Sequence, residues 1–245
     1  IITEFYFAIN FTHLDFLRIV EEVLANRSPA DDSRLFLSFN PEIAPWKMLF
    51  AQAKQIAAAS TERRHAMRHH LREITVVLTK GMLSDQLNFV KIARDALNVE
   101  ELESIYNRRI GRGKIGGKAG GMMLARSILY RAAPDDPVDF RKYVTVPDSY
   151  FLGSDVLYEF FDSNNLGELV NLKYMGHDEA TAEYPAIVKR FLGGRIPEPY
   201  YERLREILDK VGDAPIIVRS SSLLEDNFGI SFAGKYDSFF CPNQG

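Results

Sequence analysis

The chain is short of cysteine: Cys241 is the one thiol in 245 residues. No intrachain disulfide can form, which excludes a disulfide-stapled secreted scaffold and fits a reducing cytoplasm. Long hydrophobic runs are missing too. No stretch approaches the roughly 18 to 20 uninterrupted apolar residues that a spanning helix needs. The apolar opening at residues 1–11 carries Glu4 and has no basic leader. Neither a membrane anchor nor a signal peptide is expected. An excess of one charge is also absent, since 30 Lys and Arg against 33 Asp and Glu give a formal −3. Composition therefore gives no global electrostatic case for a membrane or a nucleic acid as partner. There is no internal repeat and no low-complexity tract. The start at Ile1 rather than Met, and the stop at Gly245 after a strand-like run, read as a piece of a longer protein.

What is present suits a water-soluble fold: 46% hydrophobic and 26% charged residues can bury at least one substantial core in one or two domains. Residues 2–11, rich in Ile, Phe and Tyr, read as a strand, and the apolar positions from Leu14 to Leu24 then fall at helical spacing. Residues 34–39 read as a second short strand. Helices follow from Trp46 to about Ala59 and over residues 62–80, with Gly81 ending the pattern. Ser84 is placed to cap the next helix, and Asn98 to cap another running to Ile110. Trp46 reads as a packing anchor. Residues 1–110 are thus mainly helical, with one or two short strands.

Composition changes at Gly111, where residues 111–121 hold six glycines and three basic residues, and a domain boundary is placed just before it. Beyond it the pattern predicts a helix over residues 121–132, a short strand over 143–146 ended by Pro147, and helices over 155–164, 183–192 and 200–211. A buried strand over 215–219 and an antiparallel companion over 236–241 complete the reading.

Two constellations combine a cation with backbone able to come close to a ligand. The first is Gly116, Gly117, Lys118, Ala119, Gly120, Gly121 at the entrance to a helix, where unpaired N–H groups and the helix dipole favour an anion and Lys118 adds a point charge. The second is Ile216, Ile217, Val218, Arg219, Ser220, Ser221, Ser222, an apolar strand ending in an arginine fork and a hydroxyl run. A third segment, residues 231–238, includes Gly234, Lys235, Tyr236 and Asp237 and could cover the same phosphates as a lid. Gly111, Gly113 and Gly116 satisfy the dinucleotide-binding spacing, but a helix rather than a strand precedes them. A Walker loop fails because Arg112 stands where its first glycine belongs and Ala119 where its hydroxyl belongs.

Plainer readings stand beside these. Lys118 also reads as a solvated loop lysine, and Arg219 as the partner of Glu225 or Asp226 in a structural ion pair. Arg63, Arg64, His65, Arg68, His69, His70 and Arg72 form a basic helix face with no interleaved aromatic platform, which reads as solvated rather than nucleic-acid binding. His65 and His69 have ligand spacing but no third ligand, so no metal site is assigned. Cys241 in its apolar strand reads as an inert thiol.

The glycine-lysine helix start followed by Met122, Met123, Leu124 and Ala125 resembles that of the phosphoenolpyruvate synthase and pyruvate phosphate dikinase ATP-binding domain, an ATP-grasp relative. Val146 and Pro147 resemble that family's turn into its next strand. Val218-Arg219-Ser220-Ser221, then Glu225-Asp226, then Ser231-Phe232-Ala233-Gly234 and Asp237-Ser238-Phe239 are similar to its strongest signature, in its order. The resemblance covers residues 111–245 and implies an α+β architecture: a mainly helical N-terminal region, then the first subdomain of an ATP-grasp-like domain. It implies that Lys118 and Arg219 hold the phosphates of ATP, with Gly116, Gly117 and Ser220 beside them, and that Gly234, Lys235, Tyr236 and Asp237 form the covering loop. It further implies magnesium ligands beyond Gly245, a phosphohistidine carrier domain and a pyruvate-type acceptor elsewhere in the full-length protein, and a fragment inactive by itself. The alternative is a non-catalytic regulatory or partner-binding module that keeps a degenerate ATP-grasp half.

Overall fold

The computed structural model describes residues 18–19, 22, 41–42, 44–131, 138–222, 226–227, 230–231 and 236–243. The strands expected over residues 2–11 and 34–39 lie outside these residues. Of the helix expected after the first strand, Arg18, Ile19 and Glu22 are described and are helical. By packing, the chain divides into two compact units, Ile1–Val77 and Leu78–Gly245.

In the first unit, α1 (Trp46–Ala58) starts behind Pro45, whose fixed φ of −57° suits a helix entrance and whose carbonyl accepts from Met48 and Leu49 N–H. Its buried positions are Met48, Leu49, Phe50, Gln52, Ala53 and Ile56, and all but Phe50 repeat at i, i+4 and i+8 on one inward face. A short helix α2 (Thr61–Ala66) is capped by Ser60, and α3 (Arg68–Met82) follows, its last five residues belonging to the second unit.

The sequence predicts one helix here, broken at Gly81. The interruption falls instead at Met67, and Gly81 is helical. Glycine costs about 1 kcal/mol inside a helix. Fully burying Leu78 and Met82 on either side of it stabilises by about 1.5–3 kcal/mol each, so burial decides.

The second unit contains α4 (Leu87–Ala96), α5 (Val99–Asn107), β1 (Arg109–Ile110), α6 (Gly117–Tyr130), β2 (Phe151–Leu152), α7 (Ser154–Ser163), α8 (His177–Leu192) and α9 (Glu198–Val211). It then runs through β3 (Ile216–Arg219), β4 (Asp226–Asn227), β5 (Ile230–Ser231) and β6 (Ser238–Cys241). Two 3-10 turns, Phe140–Lys142 and Gly167–Tyr174, have no counterpart in the sequence pattern. The described residues are α+β and mostly helical, with short strands in three pairs: β1–β2 parallel, β3–β6 antiparallel and β4–β5 antiparallel.

Asn98 caps α5 as its sequence predicts, in a reciprocal box with Glu101. Glu101 also accepts from the buried Ser127 hydroxyl at 2.7 Å, which ties α5 to α6. The expected continuation of α5 to Ile110 does not occur, because the carbonyls of Arg108 and Ile110 accept N–H groups from Phe151 and Gly153 in a parallel ladder. Ser84 caps no helix; its hydroxyl accepts from Gln86 N–H, and α4 starts a residue later without a side-chain cap.

Residues 143–146 form no strand. Val144 N–H donates to Phe140 and its carbonyl accepts from the Tyr130 hydroxyl, so no edge is left to pair. α8 begins at His177, six residues before the expected start, and runs through Pro185. It fully buries no residue, so water can satisfy the carbonyl that Pro185 cannot reach. One core of this unit joins Ile110, Val156 and Ile207, with Tyr150, Tyr200, Leu204 and Val211 packed on it, and so binds β1 to α7 and α9.

The strand expected over 215–219 is present as β3. It pairs with β6 as its sequence predicts, Ile216 opposite Cys241 and Arg219 opposite Ser238. Its expected burial is not observed: Ile217, Val218, Phe239 and Phe240 are exposed. Apolar runs of this length are written for a covered strand, but within these residues the pair is two strands wide.

Candidate phosphate-binding site

The helix α6 begins at Gly117, four residues earlier than its sequence predicts, and its start explains why. The N-cap is Gly116, at φ +85°, a conformation glycine adopts without strain. Glycine has no side chain with which to cap the exposed N–H groups of the first turn. The cap comes from 102 residues downstream: Ala119 N–H donates to the Ser221 hydroxyl at 2.9 Å. Gly117 N–H donates to the Ser221 carbonyl at 3.1 Å. A Cβ on Gly116 would stand 1.6 Å from that carbonyl oxygen, so only glycine allows the two segments to meet.

The close approach that the sequence assigns to a ligand is thus made in part by Ser221. Two of the N–H groups expected to face an anion are engaged by it. Lys118 lies between the two bonded residues and is half-buried. Arg219 ends β3, exposed, two residues before Ser221. Half-buried Ser220 lies between them and accepts from Ser222 N–H at 3.3 Å.

Opposite Arg219 in the ladder is Ser238, so exposed Tyr236 and Asp237 sit at the same end of the strand pair. Through the two bonds to Ser221, the segment of Gly116, Gly117 and Lys118 is joined to the segment that holds Arg219 and Ser220. Gly234, Lys235 and Glu225 lie outside the described residues.

The loop leading to Gly116 is fixed as firmly. The Asp155 carboxylate accepts from Arg112 N–H at 2.6 Å and Gly113 N–H at 2.7 Å. A Cβ on Gly111, at φ +81°, would meet Asp155 at 2.6 Å, and one on Gly113 would meet Ser154 at 2.5 Å. All three glycines of the apparent dinucleotide spacing therefore serve contacts within the protein.

Ile115 N–H donates to Met82 O, and Lys114 Nζ bonds Asp85 at 2.6 Å. The Lys114 hydrogen bond, with a backbone hydrogen bond and the lysine charge behind it, holds the Asp85 carboxyl below its usual range. Burial lowers the affinity of the nearby Arg109 guanidinium for its proton, while Tyr106 and Asp155 oppose that effect.

Sequence reasoning misses two residues of this construction. Ser221 reads as one of a hydroxyl run rather than as a cap, and Asp155 is not singled out within its expected helix. A separate cleft of about 450 Å³, lined by Leu169, Leu172, Met175, Ile187 and Arg190 among others, holds none of the phosphate-site residues. Among the described residues, no group of three or more His, Cys, Asp or Glu is placed to hold a metal. No helix among them is long and apolar enough to cross a membrane.

The family described as pyruvate phosphate dikinase, AMP/ATP-binding domain, matches residues 112–245, more than half of the chain. No curated protein and no solved structure matches it. The match takes in both partners of the junction, the α6 start with Lys118 and the β3 end with Arg219 and Ser221. On that match, the chain belongs to the pyruvate phosphate dikinase AMP/ATP-binding domain family.

Proposed function

We propose that this chain supplies the first nucleotide-binding part of an ATP-dependent phosphotransferase, with residues 1–110 as a mainly helical accessory region. Family membership supports ATP binding and a phosphotransferase in general. The observation that carries the finer reading is the Ser221 junction, which fastens the lysine-bearing helix start to the arginine-bearing strand end.

An ammonium, a guanidinium fork and a hydroxyl around one backbone junction fit a polyphosphate in charge and in donor chemistry. ATP supplies the transferable phosphoryl group when bound. Lys118 then neutralises phosphate oxygens from the helix side, and Arg219 orients them by paired N–H donors from the strand side. Gly116 and Gly117 give the backbone its close packing, Ser220 adds a hydroxyl, and the segment containing Gly234, Lys235, Tyr236 and Asp237 closes over the phosphates and excludes water. Among the described residues no group of three or more His, Cys, Asp or Glu gathers for a metal, and no step assigned to them runs through one. In the full-length protein the receiving group is a carrier histidine and then a pyruvate-type acceptor, and a reducing cytoplasm suits the single thiol.

The test is ATP titration by calorimetry of a protein that continues through the second ATP-grasp subdomain. Lys118→Ala and Arg219→Ala are each expected to weaken ATP about tenfold or more, the loss of a charge-assisted hydrogen bond, with the fold intact by circular dichroism. Unchanged affinity in both would falsify the assignment. Tight ATP binding without any phosphohistidine formed from radiolabelled ATP selects the partner-binding module over the enzyme.

A further inference from the structure

We propose that Ser221 is the positioning residue of the phosphate site: its hydroxyl and its carbonyl act as one clasp that sets where the Lys118 ammonium stands relative to the Arg219 guanidinium. The inference rests on the phosphate-site reading above and adds to it a residue that touches no phosphate.

The geometry carries it. A serine that caps its own helix accepts from the third N–H of that helix. Here the third N–H, that of Ala119, goes to a serine of another segment, and the first, that of Gly117, goes to the same serine's carbonyl. Two bonds to one residue fix the orientation of the contact as well as its distance. Lys118 is the residue held between them, and Arg219 is joined to Ser221 through Ser220 alone.

Any displacement of Ser221 therefore moves one cation relative to the other. Two charges that must grip one polyanion together lose most of their joint effect when their spacing is not fixed beforehand. The positive φ and the absent Cβ at Gly116 serve the same contact, since nothing larger lets the Ser221 carbonyl in.

The experiment uses the full-length protein and three variants, Ser221→Ala, Ser221→Thr and Ser221→Asn, titrated with ATP and separately with adenosine, which has no phosphates. Loss of the hydroxyl in Ser221→Ala is expected to weaken ATP about five- to tenfold, the loss of one cap expressed as affinity. Adenosine binding stays unchanged, and Thr and Asn, which keep a capping oxygen, restore most of the ATP affinity. Hydrogen exchange in the 245-residue chain reads the clasp directly: the Ala119 amide exchanges faster in the alanine variant, and more slowly again with threonine.

A loss shared equally by ATP and adenosine assigns Ser221 a general structural role and overturns the proposal. So does unchanged ATP affinity with a deprotected Ala119 amide. If Lys118→Ala and Arg219→Ala themselves leave ATP affinity unchanged, the failure belongs to the phosphate-site reading. If those two variants weaken ATP and Ser221→Ala does not, it belongs to the clasp.

Discussion

The basic face at residues 63–72 and the glycine loop at residues 111–118 carry comparable positive charge, four arginines in one and an arginine with two lysines in the other. Their bonding differs in reach. On the basic face, Arg63 N–H bonds Ser60, Arg64 bonds Thr61, and His70 meets Glu73, each three residues away. In the loop, Lys114 reaches Asp85 across 29 residues and Gly113 reaches Asp155 across 42, and just after it Ala119 reaches Ser221 across 102. The first pattern is local, on a face whose four arginines are exposed, and the second is that of chain held by distant partners. Charge density alone does not separate them; the span of the hydrogen bonds does.

That contrast can be broken by substitution. Gly116→Ala is expected to have the largest effect, about 3 kcal/mol or more, because it adds a Cβ 1.6 Å from a backbone oxygen at a positive φ. Urea unfolding of the 245-residue chain measures it, and a loss below about 1 kcal/mol means that the junction is not rigid. Asp155→Ala removes the charged acceptor of two backbone N–H groups and is expected to cost about 2 kcal/mol by the same measurement.

Asp85→Asn sharpens the comparison at the loop's exposed edge. The Asp85 carboxyl is 62% exposed, so its pair with Lys114 contributes a few tenths of a kcal/mol. Because the folded carboxyl lies below its unfolded value of about 3.9, the contribution is present above that pH and is lost as pH falls through the depressed folded value. Parent and variant stabilities should therefore differ slightly at pH 7 and converge as pH falls through the depressed folded value. Arg68→Gln, on the basic face, is expected to change stability by less than about 0.5 kcal/mol; a loss above about 1 kcal/mol would show that this face is bound into the fold as tightly as the loop.

Local chemistry was legible in the sequence and distant chemistry was not. The Asn98–Glu101 capping box, the start of α1 behind Pro45 and the pairing of β3 with β6 each depend on nearby residue types or on a short apolar pattern. The early start of α6, the end of α5 at Asn107 and the loss of a strand at 143–146 depend on partners about ten to a hundred residues away. For the site, the residue types pointed to a phosphate binder, and Lys118 and Arg219 are the cations proposed for it. Ser221 was not legible, because a serine capping another segment's helix leaves no mark at the helix it caps. Asp155 gave a faint one, an acid two residues after Gly153 at the head of α7.

The pairing of β3 with β6 has a practical consequence for anyone handling this polypeptide. Phe239 and Phe240 are adjacent and stand 64% and 78% open to solvent, across from Val218 and Ile217 at 54% and 47%. Oily surface of that kind on a two-stranded ribbon invites fluorescent hydrophobic dyes and self-association at high concentration. Dilute solutions, or a mild detergent at the purification stage, are the conditions under which the 245-residue chain should stay dispersed.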